Sequence, residues 1–239
     1  MEHNINSLIN YNIRAYDGMI GEVDEFYFDD ESWKIRYLVI KTGSWLSERK
    51  VLISPDAIIK QPWQNGFFPV LLTKQQVQNS PDIDTEKPVS RLQETELYSH
   101  YQWENYWGSG FYAGGSMGVS MPFPSVEHEV LMEPDKDKTA DNYVHLRSTE
   151  RVSGYHIHAT DGEIGHVDDF IVHEETWQIT AIVVDTSNWF GGKKIVIPVA
   201  HIKKIDWSEN LVFLNMVKAS IDKHPLFEKD NYPLLPLYK

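Results

Sequence analysis

Cysteine is absent from the 239 residues, which excludes disulfides, thiolate nucleophiles and cysteine-ligated zinc or iron–sulfur centres. A chain without cysteine suits a reducing compartment, and the expected location is the cytoplasm. No run approaches the roughly 18 apolar residues of a membrane span, and Met1–Asn6 lack the basic start and apolar core of a signal peptide. Positive charge is scarce: 22 Lys and Arg stand against 35 Asp and Glu, giving a net charge of −13. Such a field repels phosphate backbones and anionic bilayers, so direct nucleic-acid binding is not expected. No G-x-G-x-x-G or Walker loop occurs. The glycine-flanked serines of Gly108–Pro124, Gly108-Ser109-Gly110 among them, fall in a glycine-rich loop instead of after a core strand, so they are not read as a nucleophile elbow. The expectation is a chain without cofactor or catalytic residues, not an enzyme.

What is present is the composition of a folded protein, with 41% hydrophobic, 13% aromatic and 24% charged residues. The length suits two modest domains. Shifting the chain by 144 residues lays Asp17-Gly18-Met19-Ile20-Gly21-Glu22-Val23-Asp24-Glu25-Phe26 on Asp161-Gly162-Glu163-Ile164-Gly165-His166-Val167-Asp168-Asp169-Phe170. In the same register Trp33 meets Trp177, Ile35 meets Ile179, Trp45 meets Trp189, Lys50 meets Lys194 and Ile58 meets Ile202. A duplication explains this; the long period indicates two domains and not a solenoid.

Within a unit, Ile20–Phe28 and Trp33–Ile40 are rich in β-branched and aromatic residues around the turn-forming Asp29-Asp30-Glu31-Ser32. This predicts a hairpin, repeated at Ile164–Val172 and Trp177–Val184. Short strands follow at Lys50–Ile53, Ile58–Trp63 and Phe67–Leu72, with helical turns at Lys74–Asn79 and Val217–Lys223. Five or six short strands hide their edges most economically by closing into a small barrel. The fold class is therefore mainly β, two tandem small barrels: residues 1–87, a connector at 88–149, and residues 150–239. The connector opens with a short helix in Val89–Tyr106 and continues as a glycine-, proline- and aromatic-rich loop.

The Asp-Gly-x-Ile-Gly-x-Val-x-Asp-x-Phe segment, the tryptophan-led second strand and Arg49-Lys50-Val51-Leu52-Ile53-Ser54-Pro55 together resemble the PRC-barrel family. The likeness recurs at Asp161 and at Gly192-Lys193-Lys194-Ile195-Val196-Ile197-Pro198. Arg91–Tyr98 followed by Tyr101–Trp107 is similar to the connector of bacterial tandem PRC-barrel proteins. The resemblance implies the fold and a binding style, as in the cytoplasmic domain of the photosynthetic reaction-centre H subunit and the C-terminal domain of a ribosome maturation factor. Its partners do not carry over, because neither full architecture is present.

The candidate sites are few. Asp17-Gly18 and Asp161-Gly162 read as tight turns with positive φ, and Gly21 and Gly165 as bulges or close backbone approaches. His156 and His158 flank Ile157 and would share one strand face, which makes them the candidates for a metal. The first unit has Asn12 and Arg14 there, so exposed polar side chains are the simpler reading. Tyr98, Tyr101, Trp103, Tyr106 and Trp107 crowd the connector, and Trp45 and Trp189 follow a strand in each unit. These aromatics either pack on the barrels or form an interface. The expected function is a non-enzymatic interaction or assembly module for a protein partner, a second copy of the chain included. The alternatives are an RNA- or ribosome-associated assembly factor and a metal- or small-ligand-binding protein acting through the second barrel.

Overall fold

The computed structural model describes residues 1–59, 66–83, 89–107, 145–186, 192–221 and 223–228. Trp189, Trp63, the loop from Gly108 and the tail from residue 229 lie outside the described residues. The first strands are β1 (Glu2–Asn4), β2 (Asn12–Ala15), β3 (Gly18–Asp29), β4 (Lys34–Thr42), β5 (Lys50–Ile53) and β6 (Phe67–Pro69). Helices α1 (Lys74–Gln78) and α2 (Arg91–Tyr101) follow. The second half holds β7 (Leu146–Ser148), α3 (Thr149–Val152), β8 (His156–Ala159), β9 (Gly162–His173), β10 (Ile179–Asp185) and β11 (Lys194–Pro198). It closes with β12 (Ile202–Asp206), β13 (Leu211–Leu214) and α4 (Lys218–Ile221). There are two separate sheets, with strand orders β5-β4-β3-β2-β6 and β11-β10-β9-β8-β13-β12. The protein is thus mainly β and built from two tandem small barrel-like domains.

Each long hairpin supplies most of a core. Ile20, Val23, Phe26, Phe28, Ile35, Leu38 and Ile40 are buried in the first unit; Ile164, Val167, Phe170, Val172, Ile179, Ile182 and Val184 are buried in the second. Asp17 and Asp161 cap the helix that closes each unit: their Oδ1 atoms accept from the amides of Lys74 and Lys218, both at 2.8 Å. Gly18 and Gly162 follow them at φ +139° and +133°, which side-chain-bearing residues rarely adopt.

Gly21 and Gly165 face the neighbouring strand. A Cβ at Gly21 would lie 2.1 Å from the Lys41 carbonyl oxygen, and one at Gly165 2.0 Å from that of Asp185. Either alanine variant must push β3 from β4, or β9 from β10. Each should cost about 2–3 kcal/mol, read as a lower urea midpoint with unchanged slope.

The two units interlock. β1 pairs antiparallel with β9 of the second unit, Asn4 opposite Ile171, while β7 pairs with β3 of the first, Ser148 opposite Tyr27. Both pairs obey the 144-residue shift, so each repeat lends its leading strand to the other. Trp33 and Trp177 mark the crossing. The Ile35 amide donates to the Trp177 carbonyl and the Ile179 amide to the Trp33 carbonyl, both at 2.8 Å. Both tryptophans carry φ of 57°, a conformation bulky residues adopt only when their surroundings impose it. Here two reciprocal backbone bonds, the buried Trp177 ring and the half-buried Trp33 ring do so. The Trp177 ring enters the first unit, 6.3 Å from Phe26 and 5.8 Å from Phe68 between centroids, and Phe28 meets Phe170 at 5.7 Å. Among the described residues, no helix is long and apolar enough to cross a membrane.

Candidate functional site

The seam between the units opens into a groove of about 820 Å³. Its apolar surface comes from Ile35, Pro55, Ile58, Ile59, Tyr98 and Trp177; Lys34, Arg36, Asp56, Glu174 and Glu175 bring charges of both signs. The β4 strand, the turn after β5 and helix α2 build one wall, and the β9–β10 turn builds the other. Apolar surface with a few polar groups at a domain junction is the usual make-up of a binding site.

Behind the Arg36 and Tyr98 wall lies a buried polar cluster. Glu94, on α2, has no solvent exposure, and His145 has 1%. Glu94 Oε1 accepts from Tyr37 Oη at 2.9 Å and from Tyr106 Oη at 2.7 Å. Its Oε2 lies 2.8 Å from Arg91 Nη1 and 3.3 Å from His145 Nε2, as ion-pair contacts without hydrogen-bond geometry. Tyr106 Oη also stands 2.7 Å from His145 Nε2 and accepts from Arg91 Nη1 at 3.2 Å. An imidazole with a proton on Nε2 satisfies this arrangement. The Arg36 guanidinium stacks 3.7 Å above the Tyr106 ring. Burial pushes the Glu94 carboxyl up, against hydrogen bonds from the tyrosines and the charges of Arg91 and Arg36. The same burial raises Tyr37 and Tyr106. The cluster pins Tyr106 to His145 across 39 positions of chain, so both ends of the connector are tied to the first unit.

The sequence profile of the PRC-barrel domain matches residues 1–63 and 153–209, together about half of the chain. The chain belongs to the PRC-barrel family. No match was found among curated proteins. The two profile matches begin at or before the hairpin of each PRC barrel, and neither includes α2, Glu94 or His145.

The connector aromatics sit on the first PRC barrel. Tyr98 and Tyr101 are buried; Trp103, Tyr106 and Trp107 are half-buried against the core. Tyr98 meets Tyr37 edge-on at 6.4 Å and Trp107 at 4.9 Å. Trp45 donates from Nε1 to the Ile20 carbonyl at 2.6 Å, with Lys74 Nζ 4.3 Å above its ring, and so covers one end of the barrel. Trp189 lies outside the described residues. His156 and His158 do share a face of β8. His156 Nδ1 is 2.8 Å from Glu163 Oε1 at an exposed position, and His158 lies beside Phe213 at 5.8 Å. Among the described residues no group of three or more His, Asp or Glu could hold a metal.

Sequence reading missed two carboxylates that hold the exchanged strands. Asp169 accepts from Asn4 Nδ2 at 2.8 Å and from the Asn6 amide at 3.1 Å. Its counterpart Glu25 accepts from Ser148 Oγ on β7. Glu25 aligns with Asp169, and Asn4 with Ser148, so the two contacts are related by the repeat, although the aligned residues differ in type and give the sequence no signal of their own. Burial raises both carboxyls, Asp169 to about 6, where its neighbour Asp168 adds to the rise and the three hydrogen bonds oppose it. A raised folded-state pKa means that the native protein binds the proton more tightly than the unfolded chain. Stability is then favoured below the unfolded value of 3.8 and falls as pH rises towards 6. Compared with Asp169→Asn, the wild type should lose about 2.4 kcal/mol between pH 4 and pH 7. A half-turn of the Asn4 amide gives the variant a donor–acceptor pair. Urea unfolding of both proteins across that range measures the difference.

Proposed function

We propose that this PRC-barrel protein is a non-catalytic cytoplasmic interaction module that receives a segment of a partner protein in the seam groove. The observation that carries the reading is the groove itself, because its walls come from both repeats and from α2, and so exist only in the assembled chain. Its mixed lining suits a peptide segment: Trp177, Tyr98 and Ile59 offer apolar contact, and Lys34 and Glu175 offer charges of opposite sign at its edges. The acidic charge of the whole chain favours a protein partner over RNA.

Affinity capture of the tagged protein from its native lysate tests this, with Ile59→Arg and the pair Lys34→Glu/Glu175→Lys run beside the wild type. These side chains are half-buried or exposed, so the fold should survive. One protein retained by the wild type should fall at least about tenfold with Ile59→Arg, the effect of losing about 1.4 kcal/mol. Retention that ignores both groove variants would place the binding surface elsewhere and overturn the proposal.

A further inference from the structure

The two PRC barrels differ in what covers their outer face. In the first, the buried Tyr27, Tyr37, Val39 and Leu52 are cross-strand neighbours on β3, β4 and β5, and α2 covers this face at Tyr37: Tyr98 meets its ring, and Glu94 accepts from its hydroxyl. The 144-residue shift carries these positions to Ile171, Ala181, Val183 and Val196 on β9, β10 and β11. Those four form an apolar cluster separate from the main core, and all are between 0% and 5% exposed. Among the described residues, the partly buried Phe227 packs against them.

Phe227 is delivered by strand addition. Val196 donates to the Pro225 carbonyl at 2.9 Å, Phe227 donates to the Lys194 carbonyl at 2.8 Å, and Leu226 bridges to Ile195. Residues 225–227 thus run along the β11 edge and bring residue 228 beside the cluster. The eleven residues that follow, Lys229 to Lys239, include Tyr232, Leu234, Leu235, Leu237 and Tyr238, an apolar density out of place on a solvated tail. Pro233 and Pro236 disfavour a helix and favour an extended segment. Eleven extended residues reach up to about 36 Å, ample for three strands spaced about 5 Å apart.

We infer that the outer face of β9, β10 and β11 is a docking surface whose occupant is this chain's own segment 229–239, which does for the second barrel what α2 does for the first. The segment adds apolar cover where Phe227 leaves off. Its attachment through residues 225–228 makes the docking intramolecular, which favours it over a free peptide of the same sequence.

The test compares the full chain with a version ending at Glu228 and with the full-length pair Leu234→Asp/Leu237→Asp. Amide exchange of residues 181–184 and 194–197, binding of a dye specific for exposed apolar surface, and light scattering are measured on each. Loss of the cover should speed exchange of these amides about tenfold or more and raise dye binding, while far-UV circular dichroism stays the same. A synthetic peptide of residues 229–239 added to the shortened protein should reverse both changes. If shortening unfolds the protein, the paired aspartates still report, because they leave the chain length intact. Unchanged exchange and dye binding in the aspartate pair would overturn the inference. So would a full-length dimer whose dissociation on dilution uncovers the same amides, since the occupant would then be a second copy.

Discussion

Trp177→Ala should cost about 3–5 kcal/mol, the usual range for emptying a buried tryptophan site. The side chain belongs to the second repeat by sequence, yet its ring is 7% exposed between Phe26 and Phe68 of the first. Its removal leaves a cavity at the seam and loosens the reciprocal bonds between residues 33–35 and 177–179. The wild type should unfold in one transition, because each sheet contains a strand from the other repeat. In the variant, near-UV and far-UV signals should cease to coincide during urea unfolding. Trp33→Ala should cost less: its ring is half-buried and stacks on Phe28 at 5.3 Å within its own repeat. Equal losses at the two positions would mean that the rings do not differ in the way their packing indicates.

Glu94→Ala should be nearly as damaging, at about 3–5 kcal/mol, for a different reason. The carboxylate is fully buried and accepts from two tyrosine hydroxyls while facing Arg91 and His145. Alanine leaves the Tyr37 and Tyr106 hydroxyls without their acceptor and the Arg91 charge without its partner. Glutamine keeps a carbonyl oxygen for the tyrosines, so Glu94→Gln should recover at least about 1 kcal/mol of that loss. Chemical denaturation of both variants checks the order. An alanine variant as stable as the glutamine one would show that the tyrosine hydrogen bonds contribute nothing net.

The barrels were legible in the sequence because the features that make them are local and duplicated. Asp-Gly turns, a run rich in β-branched and aromatic residues through Ile20, Val23 and Phe26, and the paired Trp33 and Trp177 survive any choice of tertiary arrangement. The strand exchange was not legible, since Glu2–Asn4 and Leu146–Ser148 share almost no residue types and are too short to show a period. Only the partners Asp169 and Glu25, far away in sequence, give them meaning. The groove depends on which turn faces which helix, a matter of how the units dock and not of either unit alone. Glu94 carries no mark of its own in the short helix that the sequence predicts within Val89–Tyr106. What buried it was Tyr37 beneath it and Tyr106 folding back, and both lie outside the local pattern.

The measurement that bears most directly on the interlocked architecture is cleavage of the folded protein at a protease site introduced within residues 108–144, followed by gel filtration without denaturant. The exchanged β1 and β7 strands and the shared aromatic seam predict that the two fragments elute together as one folded species, separating only in denaturant. Fragments that part into two independently folded proteins would contradict the account.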